Sequence, residues 1–187
     1  MKRTTWLQLS LLAFLFTSCE KGFEEIERIK IEGFLLTDEY GTITGSVGNT
    51  EDDWIMFNWT RLTSLEQSFL SFPDNVGLEN TSATEVRNPV AFPNPFQYQS
   101  AVYFYANDSV KLKVAIVDSH GFVWRNMATK IKGMQVLYFD FSNGDQFPSG
   151  LSLRYYYSFS AINQPNYKVG YGDIKVCRDN KDNSSCF

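Results

Sequence analysis

The chain holds a single histidine, His120, in the tripeptide Ser119-His120-Gly121. An imidazole base needs a nucleophile within reach and a third group to orient it. No serine or cysteine here sits in the strained G-x-S-x-G turn that exposes a nucleophile. His120 therefore reads as a solvated turn residue. Asp140, Asn143 and Asp145 in DFSNGD supply hard oxygen donors of the kind calcium takes. The alternating ligand order and closing glutamate of a calcium loop are missing, so this stretch reads as a turn. Asp52-Asp53 and Glu24-Glu25 are sequence neighbours, whereas glycosidic chemistry needs two carboxyls facing each other across a cleft. No catalytic residue, metal site or cofactor is assigned. Aromatic rings are the remaining candidates, since the flat faces of Trp and Tyr stack on sugar rings. Trp54 and Trp59 lie five apart and point to opposite faces of a regular strand. Trp124, Tyr138 and Tyr156 form the better outward set for a glycan platform. Packing of the sheet face is the competing explanation for the same residues.

The elements that must position these residues are mostly strands. Residues 26–36 (IERIKIEGFLL) alternate and then run apolar, and DEYG marks a turn. A β-rich stretch, WIMFNWT, precedes Leu62, Leu65, Phe69 and Phe72 at helical spacing, the one convincing helix. Its start signal is a capping box, either Ser64 with Gln67 or Thr63 with Glu66, and Pro73 ends it. Residues 72–88 read as a connection. Strands then follow closely: Val102 and Phe104 share a face, Leu112, Val114 and Ile116 form the inward set of KLKVAIVD, and VWR continues after a turn. QVLYFDF aligns Leu137, Phe139 and Phe141, and RYYYSFSA aligns Tyr155, Tyr157, Phe159 and Ala161. Short strands punctuated by turn signals every ten residues or so point to a β-sandwich.

The first residues place Lys2 and Arg3 before an apolar stretch, Trp6 to Phe16, too short for the ~18–20 residues that span a bilayer. Such flanks suit a cleaved export signal. Removing residues 1–18 takes both positive charges with it and shifts the net charge from −4 to −6. An acidic domain with no basic cluster is a poor partner for nucleic acid, whose binding runs on Lys and Arg against phosphate. The remaining ~170 residues suit one domain burying roughly 70% of its unfolded surface. Cys177 and Cys186 bracket RDNKDNSS; an exported chain meets an oxidising compartment, and a bridge there would act as a staple. Reactive dithiols favour C-x-x-C at a helix N-terminus, which is absent. Asn58, Asn80, Asn107 and Asn183 lie in N-x-S/T sequons.

Two resemblances add to this reading. Phe16-Thr17-Ser18-Cys19 resembles the lipobox of bacterial lipoproteins in the looser form of Bacteroidota. It departs from the commonest form, in which leucine opens the box and Gly or Ala precedes Cys. The resemblance implies a diacylglycerol on Cys19, and lipid chains in pairs hold a protein stably on a membrane. Glu20, Lys21, Glu24 and Glu25 are similar to the short signals that send such lipoproteins to the cell surface. Further on, PNPF at 93–96, KLKVAIVDSHGFVW, FDFSNGDQFPSG and LSLRYYYSFSA resemble, in order, the Ig-like module of flagellar hook-capping proteins and the related C-terminal sorting domains of type IX secretion cargo. That likeness covers residues 88–177, with PNPF preceding its first strand. It implies that Pro93 and Pro95 set a donor-poor edge, Asn94 turns the chain, and Gly121 and Gly150 serve turns. Sorting domains follow a large cargo, which is absent here, so a sorting role is not implied.

The sequence thus predicts an all-β, Ig-like sandwich with a short strand-and-helix extension. Its parts are a lipoprotein signal peptide (1–18), a tether (19–27), an N-terminal extension with one short helix (28–86), the sandwich (87–178) and a C-terminal cysteine loop (179–187). The expected role is non-enzymatic: an outer-membrane lipoprotein, facing the periplasm or the surface and anchored through Cys19, that binds another envelope protein. Glycan binding at Trp124, Tyr138 or Tyr156 is the alternative.

Overall fold

The computed structural model describes residues 28–78, 85–178 and Cys186. Cys19, the tether and the sequons at Asn80 and Asn183 lie outside the described residues. Eight strands and one helix follow in order: β1 (Gly33–Thr37), β2 (Ile43–Gly48), β3 (Ile55–Phe57), a 3-10 turn (Trp59–Arg61), α1 (Ser64–Leu70), β4 (Val86–Phe92), β5 (Gln99–Asp118), β6 (Val123–Asp140), β7 (Ser152–Ala161) and β8 (Gln164–Lys175). β1 and β2 form a two-stranded antiparallel ribbon; the other six strands share a sheet ordered β3-β8-β7-β5-β4, with β6 also on β5.

One sheet makes two layers because β5 and β6 bend together. The first part of β5 pairs with β4, the second with β7, and β6 follows β5 throughout. The register slips between Ala106 and Val110, where Gly133 on β6 takes φ +68°, a conformation that a Cβ disfavours. Beyond the bend the halves fold face to face, so that the two ends of β6 meet: the Arg125 guanidinium donates to the Asp140 carbonyl at 2.9 Å. The stretches VWR and QVLYFDF, expected as separate strands, are thus one continuous strand.

The inward alternation is as expected. Val102, Phe104, Leu112, Val114, Ile116, Tyr155, Tyr157 and Phe159 are all buried in one cluster. Rings meet across the layers: Phe104 against Tyr157 at 6.0 Å, and Phe139 against Tyr155 at 5.1 Å. Burying each such ring contributes about 1.5–3 kcal/mol. This is the expected all-β sandwich, carrying its strand-and-helix extension.

The extension is woven in rather than appended. β3 pairs with β8, so hydrogen bonding crosses the 86/87 boundary. α1 lays Phe69 and Leu70 over the outer face of the larger layer, with Ile29, Phe57 and Leu62, and they cover Ala115, Val117, Tyr156 and Val169. β7 is in consequence buried on both faces. Of the two capping boxes open to the sequence, Thr63 with Glu66 is the one formed. At the other end of the helix the Lys113 ammonium donates to the Leu70 and Phe72 carbonyls, satisfying acceptors that the helix leaves open.

The PNPF stretch does not open the first strand. β4 already runs into Phe92, so Pro93–Phe96 forms the corner between β4 and β5. Both prolines follow cis peptide bonds. Between them Asn94 is 1% exposed. Its amide donates to the carbonyls of Leu35 (2.8 Å) and Asp173 (2.9 Å), and its side-chain oxygen accepts from Lys175 N–H at 3.0 Å. Its backbone exchanges two hydrogen bonds with Thr37. The residue expected to turn the chain stands at the corner and also pins the ribbon to β8.

Candidate functional site

Alternation along β4, β5 and the second part of β6 builds an outward face of unusual composition. Directly paired residues share a face, which gives three rows: Phe92, Ala101 and Tyr138; Val90, Tyr103 and Val136; Arg87, Tyr105 and Met134. Tyr138 is 68% exposed and Met134 65%. Tyr40, 81% exposed, stands beside this face, because the adjoining Gly41 packs against the Phe92 ring. The one formal charge among the nine, Arg87, lies over the Tyr105 ring at 4.4 Å. Three tyrosines, a phenylalanine and a methionine therefore share one surface whose charges stand at its ends, Arg87 with Glu85 at one and Asp140, paired with Gln99, at the other.

The residues expected to bind glycan do not come together. Tyr138 lies on this face. Tyr156 is fully buried beneath α1, its ring 5.3 Å from Phe69 and its hydroxyl donating to Glu66 at 2.8 Å. It cannot serve as a platform, because the extension that the sequence set apart from the sandwich covers it. Trp124 is half-buried at the turn joining β5 to β6. It packs against Phe122 and Phe147, and its indole N–H donates to Asp118 at 3.1 Å. Tyr103, Tyr105 and Phe92 were the members the sequence reading missed; pairing Tyr103 with Val136 requires knowing the β5–β6 register.

The other candidates settle as turns. His120 is exposed, its backbone N–H held by the Asp118 carboxylate, which also receives Phe122 N–H. Asp140 accepts from Ser142 N–H, and that bond holds its carboxyl below the ordinary value. Asn143 accepts from Asp145 and Gln146 N–H. Gly121 and Gly150 take positive φ as their turns require. Trp54 and Trp59 fail to form a platform for a simpler reason than strand parity: Trp54 stacks inside the core on Tyr157, above Gly172, and Trp59 begins the 3-10 turn. Cys177 and Cys186 form a disulfide with Cα atoms 5.7 Å apart. Asn58 and Asn107 are exposed.

A polar cleft of about 310 Å³ opens where β7 and β8 meet the ribbon and α1. At its base Arg154 grips Asp173 with two bonds of 2.6 and 2.7 Å, donates to the Lys30 carbonyl and lies 4.1 Å from the Tyr171 ring centre. Asp53 accepts Asp173 N–H at 2.6 Å and Leu35 N–H at 2.8 Å, joining β8 to β1. Burial, and next the charge of Asp173, push the Asp53 carboxyl up to about 7, against the pull of those two N–H groups. Burial also raises Asp173, which the Arg154 bonds only partly offset. Of the two buried carboxyls only Asp173 is paired with the guanidinium; Asp53 is held by backbone N–H groups alone. These groups are spent on one another, so the cleft acts as a clamp between ribbon and sheet. Among the described residues no group of three His, Cys, Asp or Glu side chains could hold a metal ion.

No protein-family model matches the sequence. No curated protein matches it either. Among solved structures, the CARDB domain of a Pyrococcus furiosus protein, crystallised with di-metal ions, is similar at 18% identity with a TM-score of 0.27, covering 51% of this chain and 92% of that one.

Proposed function

We propose that the chain is a non-enzymatic outer-membrane lipoprotein, anchored through Cys19, whose exposed tyrosine face docks another protein of the envelope. The observation that carries this reading is the face itself: Tyr103, Tyr105, Tyr138, Phe92 and Met134 stand together on the outside of β4–β5–β6. Tyrosine and methionine are enriched where proteins meet, whereas Lys and Glu are depleted, and charge on this face is confined to its two ends, the Arg87–Glu85 pair and Asp140. The leader and the Cys19 lipobox support the anchoring half. In this reading the likeness to hook-capping and sorting modules concerns shape, a small sandwich that docks on a larger assembly.

Glycan binding is the second reading, now centred on Tyr138 with Tyr103 and Tyr105. The observation favouring it is three phenol rings on one rigid sheet. A photo-crosslinking side chain at Met134 separates the readings. A defined protein adduct in native envelopes, lost with Tyr138→Ala and kept with Ile162→Ala, supports docking. Retention on a glycan matrix that Tyr138→Ala abolishes, with no protein adduct, replaces it with the second reading. If neither appears, the face has no such role.

A further inference from the structure

The described chain begins beside the turn that carries its most exposed phenylalanine. Ile29 N–H donates to the Ser119 carbonyl at 3.0 Å, and Ile29 is buried, so the point where the tether leaves the domain is fixed at the β5–β6 turn. In that turn Phe122 is 57% exposed, its ring 4.8 Å from Trp124. The turn is rigid: Asp118 holds the backbone N–H groups of His120 and Phe122 and the Trp124 indole, and Phe147 backs the tryptophan at 5.1 Å. Arg28 and Lys30, both exposed, flank the exit. The aromatic pair therefore has neither a core contact to make at Phe122 nor freedom to fold inward.

Chain length then decides what meets this end. Eight residues lie between Cys19 and Arg28, and the nine steps of chain reach at most about 30 Å when fully extended. A domain of this size has a radius of gyration of about 15 Å, hence a width near 40 Å. A leash shorter than the body holds the exit end toward whatever the leash is fixed to.

We propose that Phe122 and Trp124 seat the tethered domain on the bilayer surface, with Phe122 entering the headgroup boundary. This rests on the reading that Cys19 is lipidated. The partner is a zwitterionic lipid surface: Trp and Phe favour that boundary, while the exposed acids Asp140, at the end of β6, and Asp145, on the loop that follows, offset the exposed cations Arg28, Lys30 and Arg125, so this end has no one-signed charge to select an anionic surface.

The test uses the full lipidated chain on phosphatidylcholine vesicles, with a polarity-sensitive fluorophore on His120→Cys, beside intact Phe122, or on Asn107→Cys. Asn107 sits at the β5 bend, eleven residues of strand from Asp118, about 35 Å away. Emission at 120 should rise about threefold or more on vesicles while emission at 107 stays flat, as expected of a boundary contact, and Phe122→Ser should remove most of the rise. A chain that stays in the supernatant brings down the anchor reading and this inference with it. A chain that sediments with equal emission at both positions, or with a rise that Phe122→Ser leaves intact, overturns this inference alone.

Discussion

Replacing Asn94 by alanine removes three side-chain hydrogen bonds at once, in a site 1% exposed. The carbonyls of Leu35 and Asp173 lose a donor and Lys175 N–H loses an acceptor, and a methyl group, which neither donates nor accepts, replaces none of them. A net bond is worth about 1–1.5 kcal/mol, and a buried group left unmade costs somewhat more. Three together put the loss at roughly 3–5 kcal/mol, a large share of the stability of an ordinary domain. With a urea slope of about 2 kcal/mol per molar, the unfolding midpoint should fall by about 2 M. Asn94→Asp should be at least as damaging, because a carboxylate would then face the Leu35 and Asp173 carbonyls beside two buried acids. Urea titration by circular dichroism and tryptophan emission measures both variants. A loss under 1 kcal/mol for Asn94→Ala, or an aspartate tolerated better than the alanine, would show that Asn94 does not hold the ribbon to β8 in this way.

Three further substitutions probe the same architecture. Asp53 keeps its proton in the fold up to about pH 7, whereas its ordinary value is 3.8. Between those limits the folded state holds a proton the unfolded chain has lost, so stability falls as pH rises through that window, by at most about 1.4 kcal/mol per unit. Asp53→Asn should flatten that slope by about one proton, read from urea midpoints at pH 4 to 7.5; an unchanged slope refutes the assignment. Thr63→Ala breaks the capping box at Glu66 and should cost about 1 kcal/mol, seen as a small loss of thermal stability with the fold intact. Cys177→Ser opens a loop of nine residues' separation and should cost about 2–3 kcal/mol by the chain-entropy relation, measured against the same chain under reducing conditions, where the difference should vanish.

Which parts of this molecule could be read in advance follows from the range of the forces involved. Alternation is a local signal, so the inward sets of β5 and β7 were legible to the residue, and the capping box was legible to within two alternatives one residue apart, of which the structure forms Thr63–Glu66. Two features were not, because each depends on a contact far along the chain. Tyr156 points away from the sandwich core, as its parity with Tyr155 and Tyr157 dictates, and parity alone makes it a surface residue. It is buried only because Glu66 and Phe69, some ninety residues earlier, lie on that face. Asn94 likewise looks like a turn residue until β1 and β8, 59 and 79 residues distant, converge on it. The tyrosine face combines both cases: each member shows its parity locally, but the face exists only in the register of β4, β5 and β6. A long two-sided strand such as β7 reads RYYYSFSA, apolar or small nearly throughout, and that continuity was the available sign that something covers its second face. Continuous apolar character in a sandwich strand thus marks a third layer before any aromatic in it is counted toward a binding surface.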